Sequence, residues 1–145
     1  MVLQQKMPKC GGAFTLVELM VVILVVAILA AITTPFVQGR IDKAKWSEAC
    51  TTAGFIRRSV RNYVAESDLT AAQALVDTNL GNENTRALLG FHVKDCEGTY
   101  FESDDYTITS VESDGTTVIE VTGGSKANSP SGTFVLQADG SWEKQ

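Results

Sequence analysis

The sequence predicts an α+β protein in which a long N-terminal helix packs on a small antiparallel β-sheet head. Three patterns lead to this prediction. Residues 14–32 are mostly apolar and Glu18 is their one charged residue, and apolar residues then recur mostly every three or four positions as far as Val64. From Tyr106 onward the period falls to two. The first two patterns are typical of a helix and the third of strands.

The apolar segment Phe14–Ile32 has nineteen residues. At about 1.5 Å per residue, a helix of this length nearly crosses a bilayer core of about 30 Å. A carboxylate in hydrocarbon costs roughly 2.5–3.5 kcal/mol on insertion scales, so we expect Glu18 to have a task there. A secretory signal cut near Ala30 or Ala31 is one alternative, but the segment exceeds the usual signal core. A plain membrane anchor is another, and it gives Glu18 no task.

The helix is predicted to continue from Phe14 to about Ala65, with its second half amphipathic. Pro35 lacks a backbone donor and its ring crowds the preceding turn, so we expect a kink or loosening there. Thr33 and Thr34 are weak helix formers. The apolar stripe beyond the proline consists of Ile41, Ala44, Ala49, Ala53, Ile56, Val60 and Val64.

The rest of the sequence, from Ser67 onward, predicts short helices followed by strands. A helix is expected over 70–76, with Ser67 or Asp68 as its N-cap, and a helical turn in ENTRALLG that ends at Gly90. YTITSVES and TTVIEVTG flank Asp-Gly and predict a hairpin, and TFVLQ with SWEK predicts a second, giving three or four strands. The expected core residues of these strands are Ile108, Val118, Val121, Phe134, Leu136 and Trp142.

Charge and cysteine are unevenly distributed. Residues 40–66 hold six basic and three acidic residues, whereas residues 67–145 hold four basic and thirteen acidic ones. The acidic balance argues against nucleic acid as the main partner, and a basic helix face meeting an acidic neighbouring head accounts for Arg57, Arg58 and Arg61. Cys50 and Cys96 form either a disulfide in an exported chain or two buried free thiols.

Residues that could carry catalysis or bind a metal are sparse. His92 is the single histidine and has no nucleophile motif around it, and no paired cysteines occur at zinc spacing. The acids Glu102, Asp104 and Asp105 lack a full calcium-loop pattern, so a solvated turn is favoured. We therefore expect no enzyme activity, no cofactor and no metal site.

The stretch KCGGAFTLVELMVV resembles the class III signal of type IV pilins and of the pseudopilins of type II secretion. In that family a short basic leader ends in a small residue, and the mature chain begins with Phe, Thr, Leu, an aliphatic residue and Glu. Here these are Phe14–Glu18, preceded by Ala13, and Pro35 falls at the twenty-second mature position, where the family commonly has proline. A cut after Gly12 stays open.

The resemblance implies a domain organisation and a processing step. Residues 1–13 would be the prepilin leader, 14–39 the hydrophobic transmembrane and filament-core helix, and 40–145 the pilin head. A prepilin peptidase would cut between Ala13 and Phe14 and methylate the new amine of Phe14. Thr15, Glu18 and Pro35 would serve assembly, with Glu18 pairing with the N-terminus of a neighbouring subunit. A link from Cys50 to Cys96 would staple the helix-to-sheet connection to the helix.

The implied function is that of a structural subunit of a type IV pilus, or fimbrium, a filament class associated with cell adhesion. Its partners would be identical or related subunits, the prepilin peptidase, the inner-membrane assembly machinery and, before assembly, the membrane itself. The precursor would reside in the inner membrane and the filament on a bacterial cell surface. The alternatives are a pseudopilin acting as a periplasmic piston of type II secretion and, less favoured, a membrane-anchored binding module that never assembles.

Overall fold

The computed structural model describes residues 14–145, and the leader lies outside this range. The described chain divides into two units, residues 14–39 and Arg40–Gln145. Below, residues 14–39 are called the stem and residues 40–145 the head. The first element, helix α1 (Leu16–Glu66), begins in the stem and ends in the head.

The stem is a single helical segment with no interior of its own. Its large apolar side chains are exposed, from Phe14 at 85% to Val25 at 49%. The helix continues through Pro35, where the sequence predicts a kink or loosening. The hydroxyls of Thr33 and Thr34 donate to the carbonyls of Leu29 and Ala30 in the turn before it. Such bonds give threonine a partner within an apolar helix.

The head contains the second half of α1, two further short helices and a five-stranded antiparallel sheet. The helices are α2 (Leu69–Gln73) and α3 (Glu83–Leu88). The strands follow one another in the sheet in the order of the chain. They are β1 (Thr78–Asn79), β2 (Tyr106–Val111), β3 (Thr117–Gly123), β4 (Gly132–Leu136) and β5 (Trp142–Lys144). This arrangement confirms the predicted α+β, pilin-like class.

The short helices begin at the residues that the sequence indicates. The Asp68 carboxylate accepts from the backbone N–H of Ala71 at 2.7 Å and caps α2. Asn82 caps α3 in the same way, and Gly90 follows its end with a φ of +76°. Positive φ suits glycine, which has no Cβ to clash.

The two hairpins close through the same five-residue turn. Glu112–Thr116 joins β2 to β3 and Gln137–Ser141 joins β4 to β5, each with Asp-Gly before the last residue. The Asp carboxylate accepts from the backbone N–H two residues on, at 2.8 Å in both turns. The Thr116 backbone N–H holds the pKa of Asp114 below its usual range, and the Ser141 hydroxyl, followed by the Ser141 backbone N–H, does the same for the pKa of Asp139. Gly115 and Gly140 have positive φ values of 78° and 89°.

The core of the head forms where α1 meets the sheet. Ala49, Ala53, Ile56 and Val60 are fully buried, which confirms the middle of the predicted stripe. Ile41 and Ala44 are exposed, so the covered part of the helix starts later than predicted. The covered part begins at Trp46. The centroid of its indole lies 5.0 Å from that of the Phe101 ring and 4.4 Å from that of the Phe134 ring.

One strand prediction is wrong by a single residue. Val118 is only half-buried, whereas Thr117, Ile119 and Val121 are fully enclosed. Alternate residues of a strand share a face, so Val118 and Val121 cannot both point into the core. Ile108 and Leu136 are buried as predicted, while Phe134 and Trp142 pack at the edge of the core.

Candidate functional site

The first turn of α1 holds its one acidic side chain in a reciprocal arrangement with Thr15. The carboxylate oxygen Oε2 of Glu18 accepts from the backbone N–H of Thr15 at 2.9 Å and from its hydroxyl at 2.8 Å. In return, the backbone N–H of Glu18 donates to the Thr15 hydroxyl oxygen at 3.3 Å. The Thr15 carbonyl accepts from the N–H of Leu19, so Thr15 is the N-cap.

This pattern is a capping box, in which the N-cap Thr and the third helical residue satisfy each other's backbone donors. A negative charge in the first turn also complements the positive end of the helix dipole. The sequence contains the signal, because Thr15-x-x-Glu18 stands before an apolar run. The sequence predicts Glu18 as a partner for another chain, and the structure shows that Thr15 of its own chain also bonds to it.

The surroundings of the capping box are apolar and uncovered. Val17, Met20, Val21, Ile23, Leu24 and Ala27 line a shallow hydrophobic surface beside it. Within residues 14–145, α1 is the one helix long and apolar enough to cross a membrane by length and composition. Its most apolar stretch has a mean hydropathy of 2.9 and no residue buried inside the protein. Apolar surface of this extent requires lipid or protein to cover it.

The structure describes one of the two residues at the predicted cleavage site. Phe14 is described and is 85% exposed, whereas Ala13 lies outside the described residues. The position of the cut therefore stays a prediction. Pro35 lies within α1 among exposed neighbours, and its role in assembly also stays a prediction.

The disulfide predicted between Cys50 and Cys96 is not formed in the structure, where both residues are free thiols. Cys50 is half-buried on α1. Cys96 is 1% exposed within the core cluster, so packing satisfies its side chain without a bond. Burial raises the pKa of Cys96 to about 11, with a further contribution from the charge of Asp95.

The sequence predicts an outward basic face formed by Arg57, Arg58 and Arg61, but the three side chains do not all have this position. Arg57 turns to the sheet of its own head, where its guanidinium donates to the carbonyls of Thr117 at 3.0 Å, Leu136 at 3.3 Å and Gln137. Arg61 donates to the Thr116 hydroxyl at 3.3 Å. Three carbonyls at the ends of β3 and β4 thus have one partner, whereas Arg58 and Arg61 are exposed.

Glu48 holds the connection between the short helices and the sheet, which no sequence pattern indicated. Its carboxylate accepts from three successive backbone N–H groups, those of Thr99, Tyr100 and Phe101, at 3.0, 2.9 and 3.3 Å. Gly98 lies so close that a Cβ there would overlap the Glu48 carboxylate. The ammonium of Lys126 donates to the Gly98 carbonyl at 2.6 Å. These contacts attach the connection to α1.

The Tyr106 side chain is fully buried together with its hydroxyl. Within the described residues no group meets it in hydrogen-bond geometry, although the Thr52 side chain is close enough to offset part of the pKa shift. Burial raises the pKa of Tyr106. The hydroxyl lies inside the core cluster, so we assign it to packing.

Comparison with known proteins finds one match, to a family model of the N-terminal segment. The model of the prokaryotic N-terminal methylation motif matches residues 9–34, a segment that includes the capping box and most of the stem. No curated protein and no solved structure matches the chain. The motif implies processing by a prepilin peptidase and assembly into pilin-type polymers, and the exposed apolar helix fits a membrane-anchored precursor. The chain therefore carries the prokaryotic N-terminal methylation motif, consistent with the class III signal of a type IV pilin-like or pseudopilin precursor.

Proposed function

We propose that this chain is a structural subunit of a type IV pilus-like extracellular filament. The precursor is held in the inner membrane by its stem, cut before Phe14 and methylated on the new amine. Assembly machinery then moves the subunit from lipid into a helical fibre on the bacterial surface. The stems form the core of that fibre.

The observation that carries the proposal is a stem that is apolar and exposed on all sides, with its only acid in the first turn. Lipid and packed stems are similarly apolar, so transfer between them is decided by packing and by polar groups. Identical stems pack side by side without a loss of apolar burial. A stem that has left lipid would need such a cover, and further copies of itself provide it.

Glu18 supplies the polar part of this transfer. In the single chain its carboxylate is bonded to Thr15, which gives it partners while the stem lies in lipid. After the cut, the charged amine of a neighbouring Phe14 is a stronger partner, because it adds the attraction of opposite charges to a hydrogen bond. The pair specifies the alignment of subunits more than it adds net stability, because both charges lose their solvation.

We further propose that the role is structural and not enzymatic. His92 is exposed, and the bond from its backbone N–H to the Asp95 carboxylate at 2.7 Å serves a local turn. The strongly shifted groups Cys96 and Tyr106 are enclosed in the core, where no substrate has access. Both features favour packing roles.

A pseudopilin of type II secretion is the second candidate, because the methylation motif is common to both classes. Deletion of the gene separates them. The pilus subunit predicts that surface fibres disappear in electron micrographs while protein secretion continues. Loss of secretion with no change in fibres would assign the chain to the secretion machine. A membrane-anchored module that never assembles predicts that neither changes, and that purified material contains no fibres.

A further inference from the structure

The first turn of the head carries two basic side chains directly after the stem in the chain. Arg40 and Lys43 are exposed on α1, and their spacing of three residues places them on one side of the helix. They precede Trp46, where the covered part of α1 begins. We call Arg40 and Lys43 the proximal pair.

The two other charged residues of this segment interact within the head. The ammonium nitrogen of Lys45 lies 3.5 Å from a carboxylate oxygen of Asp42 and 5.4 Å from the centroid of the Tyr100 ring. Residues 40–45 contain three basic residues and one acid, so their net charge is +2. Residues 67–145 contain four basic residues and thirteen acids, so their net charge is −9. The stem is thus followed by positive charge, whereas most of the head is acidic.

The length of the stem determines where the proximal pair would lie in a bilayer. Every residue from 19 to 39 is uncharged, and Gly39 is twenty-one residues after Glu18. At about 1.5 Å per residue this segment spans about 32 Å, against about 30 Å for the hydrocarbon core of a bilayer. With Glu18 at one boundary of the core, Gly39 reaches the other, and the proximal pair follows in the headgroup layer. Long basic side chains also direct their charged ends towards this layer.

We propose that the proximal pair binds the headgroup phosphates of anionic phospholipids in the membrane that holds the precursor. A guanidinium presents paired N–H donors to phosphate oxygens, and an ammonium adds a compact positive charge. A lipid with a net negative charge is preferred to a zwitterionic one, in which a cation of the same headgroup offsets the phosphate. The contact holds the stem at a fixed depth. The inference rests on the membrane stage of the proposed function and not on the filament.

Arg58 and Arg61 match the proximal pair in charge, spacing and exposure, but lie farther from the stem. We call them the distal pair. Each follows its counterpart in the proximal pair by eighteen residues, which is five full turns of helix. The distal pair therefore lies on the same side of α1, about 27 Å farther along it. A headgroup layer is only about 5–8 Å thick on each side of the bilayer, so the proximal pair alone should contact lipid.

Lipid retention by the full chain tests the proposal. The protein is purified in a non-ionic detergent and mixed with equal amounts of phosphatidylglycerol and phosphatidylcholine that have the same acyl chains. Native mass spectrometry then gives the ratio of the two lipids retained. The wild type should retain at least about fivefold more phosphatidylglycerol, since one basic residue near an anionic membrane surface contributes about that factor.

Two double variants assign this preference to its residues. Arg40→Gln with Lys43→Gln should bring the ratio close to one, whereas Arg58→Gln with Arg61→Gln should keep the wild-type ratio. The unfolding midpoint checks that both variants are folded, as expected for changes at exposed positions. Equal retention of the two lipids by the wild type, or equal losses in the two double variants, would overturn the proposal.

A phosphatidylglycerol with a photoreactive group in its headgroup locates the contact. In vesicles that contain the full chain, labelled peptides should map to residues 36–47 and not to residues 58–66. Labelling centred on the distal pair would contradict the proposed position. These results do not depend on assembly. Normal fibres without a lipid preference would refute this inference alone, and a chain that prefers phosphatidylglycerol but forms no fibres in producing cells would refute only the filament.

Discussion

The stem and the head obtain their stability from opposite sources. In the head, eighteen apolar residues are buried, and Arg57 and Glu48 each satisfy three backbone groups of other elements. In the stem, no described residue is buried and the polar contacts stay within one or two helical turns. The head is thus completed by its own residues, whereas the stem is completed by lipid or by other copies. Substitutions in the two regions should therefore fail in different assays.

The largest effect is expected for Glu18→Ala, which should reduce assembly and leave the head folded. Removing one partner of a charge pair that is buried in the filament leaves the other charge unpaired, so the yield of pelleted fibre should fall more than about tenfold. Thr15→Ala removes only a cap, about 1 kcal/mol, and should reduce the yield less. Glu66→Ala, an exposed acid at the other end of α1, is the control. Unchanged fibre yield and subunit alignment in Glu18→Ala would show that the pairing is unnecessary.

Phe101→Ala should produce the opposite result and destabilise the head. The ring is fully buried and packs against Trp46 and Tyr106, so its loss should lower the free energy of unfolding by about 3–5 kcal/mol. Leu24→Ala is the matched change in the stem, where the side chain is 60% exposed, and should change head unfolding by less than about 0.5 kcal/mol. Denaturant unfolding of the full chain in detergent, followed by Trp46 fluorescence, measures both. Equal losses in the two variants would contradict the comparison.

Glu48→Ala should have an intermediate effect that is confined to one connection. It leaves three backbone N–H groups without their acceptor, and we expect a loss of about 2 kcal/mol, as for hydrogen bonds to charged groups. Amide hydrogen exchange should speed up at Thr99, Tyr100 and Phe101 before it does so in β3. Glu48→Gln keeps one acceptor oxygen and should lose less, and Glu97→Ala, an exposed acid nearby, should lose almost nothing. Unchanged exchange at these three amides would remove Glu48 from this role.

Alkaline pH is expected to lower the free energy of unfolding of the head, with a smaller effect than the substitutions above. The folded state keeps the Cys96 proton up to a pKa of about 11, whereas an unfolded thiol has a pKa of about 8.5. Stability from this group is therefore complete below the unfolded pKa and is lost as the pH rises through the folded value. Tyr106, whose pKa is also raised, acts in the same direction.

The loss of stability at alkaline pH is measured by following the unfolding midpoint between pH 8 and pH 11. In Cys96→Ala the midpoint should start lower but fall less steeply. In Cys50→Ser, which removes a half-buried thiol whose pKa is also raised by burial, the slope should change in the same direction but less. Thiol labelling at pH 8 should modify Cys50 before Cys96, because Cys96 is buried. A steeper alkaline slope in Cys96→Ala, or equal labelling of both thiols, would contradict the buried free thiol.

Many features of the stem and the head could be predicted from the sequence, because they depend on residues that are close together in the chain. The helix, its apolar start, both Asp-Gly turns and the caps at Asp68 and Gly90 depend on neighbouring residues, and the structure has all of them. The two-residue strand β1 could not be predicted, since it is too short for a period and exists through its pairing with β2. The partners of Arg57 and Glu48 lie fifty or more residues away in the chain and depend on the fold.

The stem claim is tested most directly by the intact mass of the mature protein, isolated from cells that contain a prepilin peptidase. We predict a chain that begins at Phe14 and carries one methyl group on its amine. A chain that retains residues 1–13, with an unmodified Phe14, would contradict it, because Glu18 would then have no charged amine to meet on a neighbouring copy.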